Sequence, residues 1–197
     1  MHKAKFNKSS FLTLILVGII VVLVVFLFRF TSVPEPESEV IVGGIPPSAP
    51  CFSVEEKIVR GDSMSGIIEP GKTVKILSGY YKCNEVKRGD VIVYFYAGNT
   101  DPLIKIVKGI PGDKFGFQKI SGGWYILLNG KILKNAQDRP YILDGGGYRM
   151  LSLYEHDYKG IIPKDAYLIL GNLVGGSIDS TRFGLVGKID ILGKAVY

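Results

Sequence analysis

A serine and two lysines are the residues best suited to covalent chemistry in this chain. Ser63 stands in Arg60-Gly61-Asp62-Ser63-Met64-Ser65, a short polar break between apolar-patterned runs at residues 54–59 and 73–77. A serine hydroxyl is a poor nucleophile until a base removes its proton. Lys105 and Lys108 lie in a strand-like run, residues 102–110, that ends in Gly109-Ile110-Pro111-Gly112-Asp113. Lysine can act as a base only when neutral. Its ordinary pKa is about 10.4, so apolar surroundings must lower it by several units. Leu103, Lys105 and Val107 share one face of the expected strand, and Ile104, Ile106 and Lys108 the other. Either lysine could be desolvated, and the periodicity does not choose between them. Near the C-terminus, Ser177-Ile178-Asp179-Ser180-Thr181-Arg182-Phe183-Gly184 adds hydroxyls and a carboxylate.

Other chemistries find little to work with. The histidines are His2 and His156, and His156 sits in Tyr154-Glu155-His156-Asp157-Tyr158, which reads as a solvated loop. A serine-histidine mechanism would depend on that residue alone. The lack of a Cys/His cluster argues against zinc. Asp179-Ser180-Thr181 is followed by Arg182, not the glycine of an aspartic-protease motif, and has no second copy. Gly145-Gly146-Gly147 lacks the Gly-Lys-Ser/Thr that completes a phosphate loop. No cofactor or metal is expected.

Strands must bring the serine and a lysine together. Short β-branched or alternating runs fall at residues 73–77, 91–96, 103–110, 124–128, 131–133, 166–170 and 188–196. Turn signals separate them, among them Arg88-Gly89-Asp90, Pro111-Gly112-Asp113, Asn129-Gly130 and Asp144-Gly145-Gly146-Gly147. Asn129-Gly130 is a strong hairpin signal, because both turn positions favour positive φ. No long amphipathic helix is expected after residue 30. The expectation is an all-β catalytic domain over residues 53–197, with a hairpin-rich insertion at about 114–162.

The residues before that domain place it. Hydrophobic content is 47% and mean hydropathy is +0.24, values that direct attention to a membrane segment. Residues 11–28 are apolar apart from Thr13 and Gly18. As a helix they would span about 27 Å, close to a hydrocarbon core of ~30 Å. Lys3, Lys5 and Lys8 precede the run and Arg29 follows it. The positive-inside rule gives a cytoplasmic N-terminus at 1–10, a membrane anchor at 11–30 and an extracytoplasmic remainder. Arg29-Phe30-Thr31-Ser32-Val33-Pro34 is a poor cleavage site, so the segment reads as a retained anchor. Residues 31–52 are rich in Pro, Ser, Glu and Gly and read as a linker. The net charge of +6 is largely this membrane flank: 24 basic residues less these 4 leaves 20 against 18 acidic, or +2. No basic stripe suggests nucleic acid. Cys51 and Cys83 both fall in the outside portion, where an oxidising compartment permits a bridge; two unpaired thiols are the alternative.

Four motifs in order resemble the type I signal peptidases, or leader peptidases. In that family the serine lies in Ser-Met-x-Pro-Thr-Leu, and Ser63-Met64 begins it here. A strand opening Arg-Gly-Asp follows, as in Arg88-Gly89-Asp90-Val91-Ile92-Val93. The family's base lysine stands four residues before Gly-x-Pro-Gly-Asp, and Lys105 holds that offset from Gly109 while Lys108 does not. The last motif is Gly-Asp-Asn-x-x-x-Ser-x-Asp-Ser-Arg-x-x-Gly; Gly171-Asn172, Ser177-Ile178-Asp179-Ser180 and Gly184 fall on it in register. There are departures. Ser65-Gly66 replaces the residue and proline after methionine, Asn172 stands where aspartate is usual, and Gly175-Gly176 where polar residues are common. Thr181 holds the arginine position, with Arg182 one place later, so Asp179 pairs with Arg182 in a shifted geometry or with nothing.

The resemblance implies Ser63 as nucleophile, Lys105 as general base and Ser177 as the hydroxyl that orients the lysine. It implies a structural Asp179 and a Ser63 amide that donates to the oxyanion. Some members add a hydroxyl donor two residues before the nucleophile, a position held here by Gly61, which has none. The implied partners are exported preproteins with small residues at −1 and −3, together with membrane lipid. Alternatives are a dedicated maturation peptidase of the conjugative-transfer type and a self-cleaving repressor-like protein, which would need a DNA-binding domain. A catalytically inactive, membrane-anchored binding module is a further one.

Overall fold

In the computed structural model, which describes residues 51–96 and 101–197, the period-two runs become strands of two sheets. The larger has seven strands: β1 (Ser53–Ile58), β2 (Thr73–Ser78), β3 (Val91–Tyr94), β4 (Leu103–Gly109), β9 (Ala166–Leu170), β10 (Val186–Gly187) and β11 (Ile191–Val196). Their order is β1-β2-β11-β3-β4-β9-β10, and every pairing is antiparallel. β3 is buried at all four positions and β9 at four of five, whereas β1 is exposed throughout. β4 lies between β3 and β9, so the strand carrying both lysines is central to the sheet.

The smaller sheet is built between β4 and β9. β5 (Phe115–Ile120) pairs with β6 (Gly123–Leu128), which also pairs with β7 (Lys131–Ile132) and β8 (Ile142–Leu143). Asn129 (φ 50°) and Gly130 (φ 78°) turn β6 into β7, as their types require. The chain leaves and rejoins the large sheet through one neck, where Gly112 N–H donates to Ile162 C=O and Ile162 N–H to Asp113 C=O, both at 2.9 Å.

The domain is mostly β, but one helix departs from the all-β expectation. α1 (Gly145–Asp157) has 13 residues and begins in the glycine run that reads as a turn. Asp144 caps it, accepting from Gly147 N–H at 2.7 Å and satisfying one of the donors a helix start leaves free. Of its residues only Gly147 and Leu151 are buried, so no continuous apolar stripe marks it in the sequence. Tyr148 stacks on Trp124 with ring centroids 4.3 Å apart, docking the helix on β6. α2 (Ser180–Phe183) is a single turn capped by Asp179.

The cytoplasmic N-terminus, the apolar span at 11–30 and the linker up to residue 50 lie outside the described residues. Among the described residues no helix is long and apolar enough to cross a membrane. Cys51 and Cys83 form a disulfide, with Cα atoms 6.4 Å apart, which resolves the two alternatives and pins the chain just before β1. Closing a loop across 32 residues restricts the unfolded chain. Cys83→Ala should lower the unfolding free energy by about 3 kcal/mol. Equilibrium denaturation with and without reductant checks this. The variant should match the reduced native protein, and an unchanged midpoint in both would show the bridge contributes nothing.

Candidate active site

Ser63 lies in the turn-rich segment between β1 and β2, and hydrogen bonds close that segment at its base. Val59 N–H donates to Lys72 C=O at 2.9 Å and Gly71 N–H to Val59 C=O at 2.7 Å. Met64 (1% exposed) and Ile68 (2%) are buried with Val74, Ile76, Val91 and Ile106, so the loop is anchored directly behind the serine. Ser63 itself is half-buried. Its N–H makes no backbone hydrogen bond among the described residues, while its carbonyl accepts from Asn172 N–H (2.7 Å) and Leu173 N–H (3.1 Å).

Lys105 comes to the serine from β4. Its Nζ lies 2.8 Å from Ser63 Oγ and 2.9 Å from Ile104 C=O. The residue is only 2% exposed. Burial pulls its pKa down to about 8, against the opposing negative charges of Asp179 and Asp62. A minor neutral fraction therefore exists near neutral pH and grows as pH rises, and a proton acceptor needs that form. Lys108 is placed elsewhere. Its Nζ donates to Lys134 C=O at 3.0 Å and sits 5.5 Å from the centroid of the Tyr141 ring.

The segment after β9 folds back on the strand's end. Asp179 Oδ2 accepts from Gly171 N–H at 2.9 Å, and its Oδ1 accepts from Thr181 N–H (3.0 Å) and Thr181 Oγ1 (2.8 Å). Ser180 Oγ accepts from Ile169 N–H at 2.9 Å. Arg182 pairs with Asp144 at 3.1 Å, so the shifted Asp179–Arg182 pair does not form. Ser177 is buried, and its hydroxyl has no hydrogen-bond partner among the described residues, so the expected bond to Lys105 is not made. It packs against Gly171: a Cβ there would lie 2.5 Å from Ser177 Oγ and 2.8 Å from the Ser63 carbonyl oxygen. Gly171 thus lets the two serine-bearing segments meet. Gly61 borders open space, with nothing within 4 Å of where its Cβ would be.

Sequence reasoning missed several supporting residues. Asn172 (1% exposed) binds Ser65, Ala136 and Gln137 through its side chain, and only its departure from the motif marks it. Arg88 bridges Lys108 C=O and the buried Asp113, both at 2.6 Å, and so clamps the end of β4. Burial alone would raise the Asp113 carboxyl, but donors from Arg88, Ile110 N–H and Asn129 hold it below the usual carboxylate range. Asp90 receives Tyr81, Lys87 N–H and Lys194 in the same manner at the start of β3. These motif residues secure strands and do not face Ser63. His156 is exposed and 3.3 Å from Asp157. Among the described residues no three His, Cys, Asp or Glu side chains cluster as a metal site would need.

A buried amine with a lowered pKa costs stability wherever the folded state must hold it charged. That cost is complete below pH 8 and disappears as pH rises from about 8 to the unfolded value near 10.4, because the unfolded chain alone then binds the proton. Lys105→Met should therefore stabilise the domain at pH 7 by up to about 3 kcal/mol, with the advantage vanishing above about pH 10. Denaturation of both proteins across this range is the measurement. A variant less stable than native at pH 7 would contradict the burial argument.

The chain has clear relatives. The family model described as "Signal peptidase, peptidase S26" matches residues 40–197. Signal peptidase IB of Staphylococcus aureus is 31% identical over 157 residues, covering 74% of this chain and 78% of the relative. Signal peptidase I of Bacillus caldolyticus is 30% identical over 146 residues, covering 73% and 78%. A crystal structure of a signal peptidase I from Enterococcus faecalis aligns with a TM-score of 0.40 and 22% identity over 56% of this chain and 97% of that one. By family model and by identity over most of its length, the chain belongs to the signal peptidase family, peptidase S26.

Proposed function

We propose that this protein is a membrane-anchored serine endopeptidase that removes signal peptides from exported preproteins after small residues. Ser63 is the nucleophile and Lys105 the general base. The observation that carries the reading is the 2.8 Å approach of a buried Lys105 Nζ to Ser63 Oγ. Neutral Lys105 takes the hydroxyl proton as Oγ attacks the scissile carbonyl. The Ser63 N–H, free of backbone acceptors among the described residues, donates to the developing oxyanion. The lysine ammonium then protonates the leaving amine, and water releases the acyl group by the same route in reverse. Ser177 serves as the orienting hydroxyl; what supports this is a buried Oγ with no partner among the described residues, packed at Gly171 beside the Ser63 carbonyl. Asp179, with both oxygens occupied, is structural.

Cleavage of a preprotein with an Ala-x-Ala site in detergent tests the assignment. Ser63→Ala and Lys105→Ala should lose activity by at least about 10³-fold with the fold kept, while Lys108→Ala keeps most of it. For the native protein kcat/KM should rise with pH along an acid limb near 8, since the base must be deprotonated. Full activity in Lys105→Ala, or an essential Lys108, would assign the wrong lysine.

The anchor and its orientation rest on the apolar run at residues 11–28 with Lys3, Lys5 and Lys8 before it. The N-terminus is cytoplasmic and the catalytic domain meets cleavage sites at the outer face of the plasma membrane. Protease added to sealed right-side-out cells should digest the domain beyond Pro34. Complete protection would overturn the orientation.

A further inference from the structure

Two departures from the family motif meet in space. Asn172 grips the Ser63 loop twice: its backbone N–H donates to the Ser63 carbonyl and its Nδ2 to the Ser65 carbonyl, both at 2.7 Å. Its Oδ1 accepts from Ala136 N–H at 3.0 Å, and Nδ2 also donates to Gln137 Oε1 at 2.9 Å. Gln137 Nε2 then donates to the Gly66 carbonyl at 3.2 Å. Backbone partners fix both amides, because an N–H only donates and a carbonyl only accepts. Gly66 has φ 87°, which the proline usual after Ser-Met-x cannot adopt. A Cβ at Gly66 would lie 2.6 Å from Gln137 Nε2 and 3.1 Å from Asn172 Nδ2. The absence of a side chain at Gly66 thus leaves the space that the two amides occupy.

We propose that Asn172, Gln137 and Gly66 form an amide clasp that positions Ser63, and that the amide of Asn172, not a carboxylate, is required there. The inference rests on Ser63 being the nucleophile. The two side-chain amides hold the carbonyls of Ser65 and Gly66, while the backbone N–H of residue 172, which every substitution there keeps, holds that of Ser63. The clasp so fixes the peptide planes that follow the serine, and with them the direction of its Oγ toward Lys105. Aspartate at 172 could still accept from Ala136 N–H. Its other oxygen would face the Ser65 carbonyl and Gln137 Oε1 with no proton to share. The residue usual in the motif is thus the wrong one for this loop.

The test is preprotein cleavage by the full-length protein in detergent, at a temperature where circular dichroism shows every variant folded. In Asn172→Ala kcat should fall roughly 10- to 100-fold through misplaced Oγ, with KM within about threefold of native. Its acid limb should move to lower pH, because withdrawing Ser63 Oγ costs the lysine ammonium more than the neutral amine. Asp62 and Asp179, the charged groups that bear on Lys105, are unchanged in that variant. Asn172→Asp should lose at least as much kcat. Gln137→Ala should lose less, and should add little to Asn172→Ala once the clasp is open. Native kcat in Asn172→Asp overturns the clasp, as do fully additive Ala substitutions. So does an activity loss that tracks the folded fraction with the acid limb unmoved. Ser63→Ala keeps the two ideas apart: residual full activity there removes the nucleophile assignment itself, whereas an inactive Ser63→Ala beside native Asn172 variants removes the clasp alone.

Discussion

Lys105 is held out of water beside a serine hydroxyl, and meeting that requirement shapes much of the domain. Withdrawing solvation is what brings this amine's pKa toward neutral pH. A central strand supplies such a place. β4 is flanked by β3 on one side and β9 on the other, and Lys105 is the least exposed lysine of the strand. The requirement also governs its neighbours. Asp179 lies close enough to hold the lysine pKa up, yet its oxygens are turned to Gly171 N–H and to both donors of Thr181. A carboxylate whose charge is already met by three donors opposes the neutral amine less than a bare one would.

The serine is placed by a different kind of force. Its loop has no regular structure of its own, so apolar anchoring and carbonyl capture hold it. Met64 and Ile68 sink into the core below, and Asn172 and Leu173 N–H take the Ser63 carbonyl. The end of β9 therefore reaches both partners. Ile106 pairs with Leu170 across the ladder, and the next residues of the two chains are Lys105 and Gly171. A side chain at Gly171 would strike Ser177 and the Ser63 carbonyl together. One glycine at a strand end lets the Ser63 loop, the strand that carries Lys105 and the returning loop converge.

Legibility in the sequence followed the physics of each element. The buried strands β3, β4 and β9 announce themselves as short runs dominated by aliphatic and aromatic residues, β-branched above all in β3. β1 is exposed at all six positions, so no pattern of burial marks it; its pairing with β2 makes it a strand. α1 hides because three glycines open it and a side-chain cap, not propensity, starts it. The choice between Lys105 and Lys108 could not come from periodicity. Both are partly or wholly withdrawn from water, and burial pulls both pKa values down. What distinguishes them is what stands opposite: Ser63 for one, the Lys134 carbonyl and Tyr141 for the other. That is a fact about three separated segments, and only the motif offset from Gly109 carried it.

The motif residues do not all surround the serine. Arg88, Asp90 and Asp113 are charged groups at strand ends, where backbone donors and acceptors need partners that the ladder no longer provides. Arg88 and Asp113 lock the far end of β4, and Asp90 with Lys194 and Tyr81 locks β3 to β11 and the adjoining turn. Their contribution to Lys105 is one of placement: clamps at the end of β4 and the adjoining start of β3 oppose sliding, and a one-residue slip would turn the lysine to the opposite face. Substitutions in such clamps are tolerated only where the hydrogen-bond demand is met by another route. The hydrogen bonds around Asn172 follow that rule. A carboxylate and a proline are absent together; Asn172 Nδ2 donates to the Ser65 carbonyl, Gln137 Nε2 to the Gly66 carbonyl, and Gly66 takes a positive φ closed to proline.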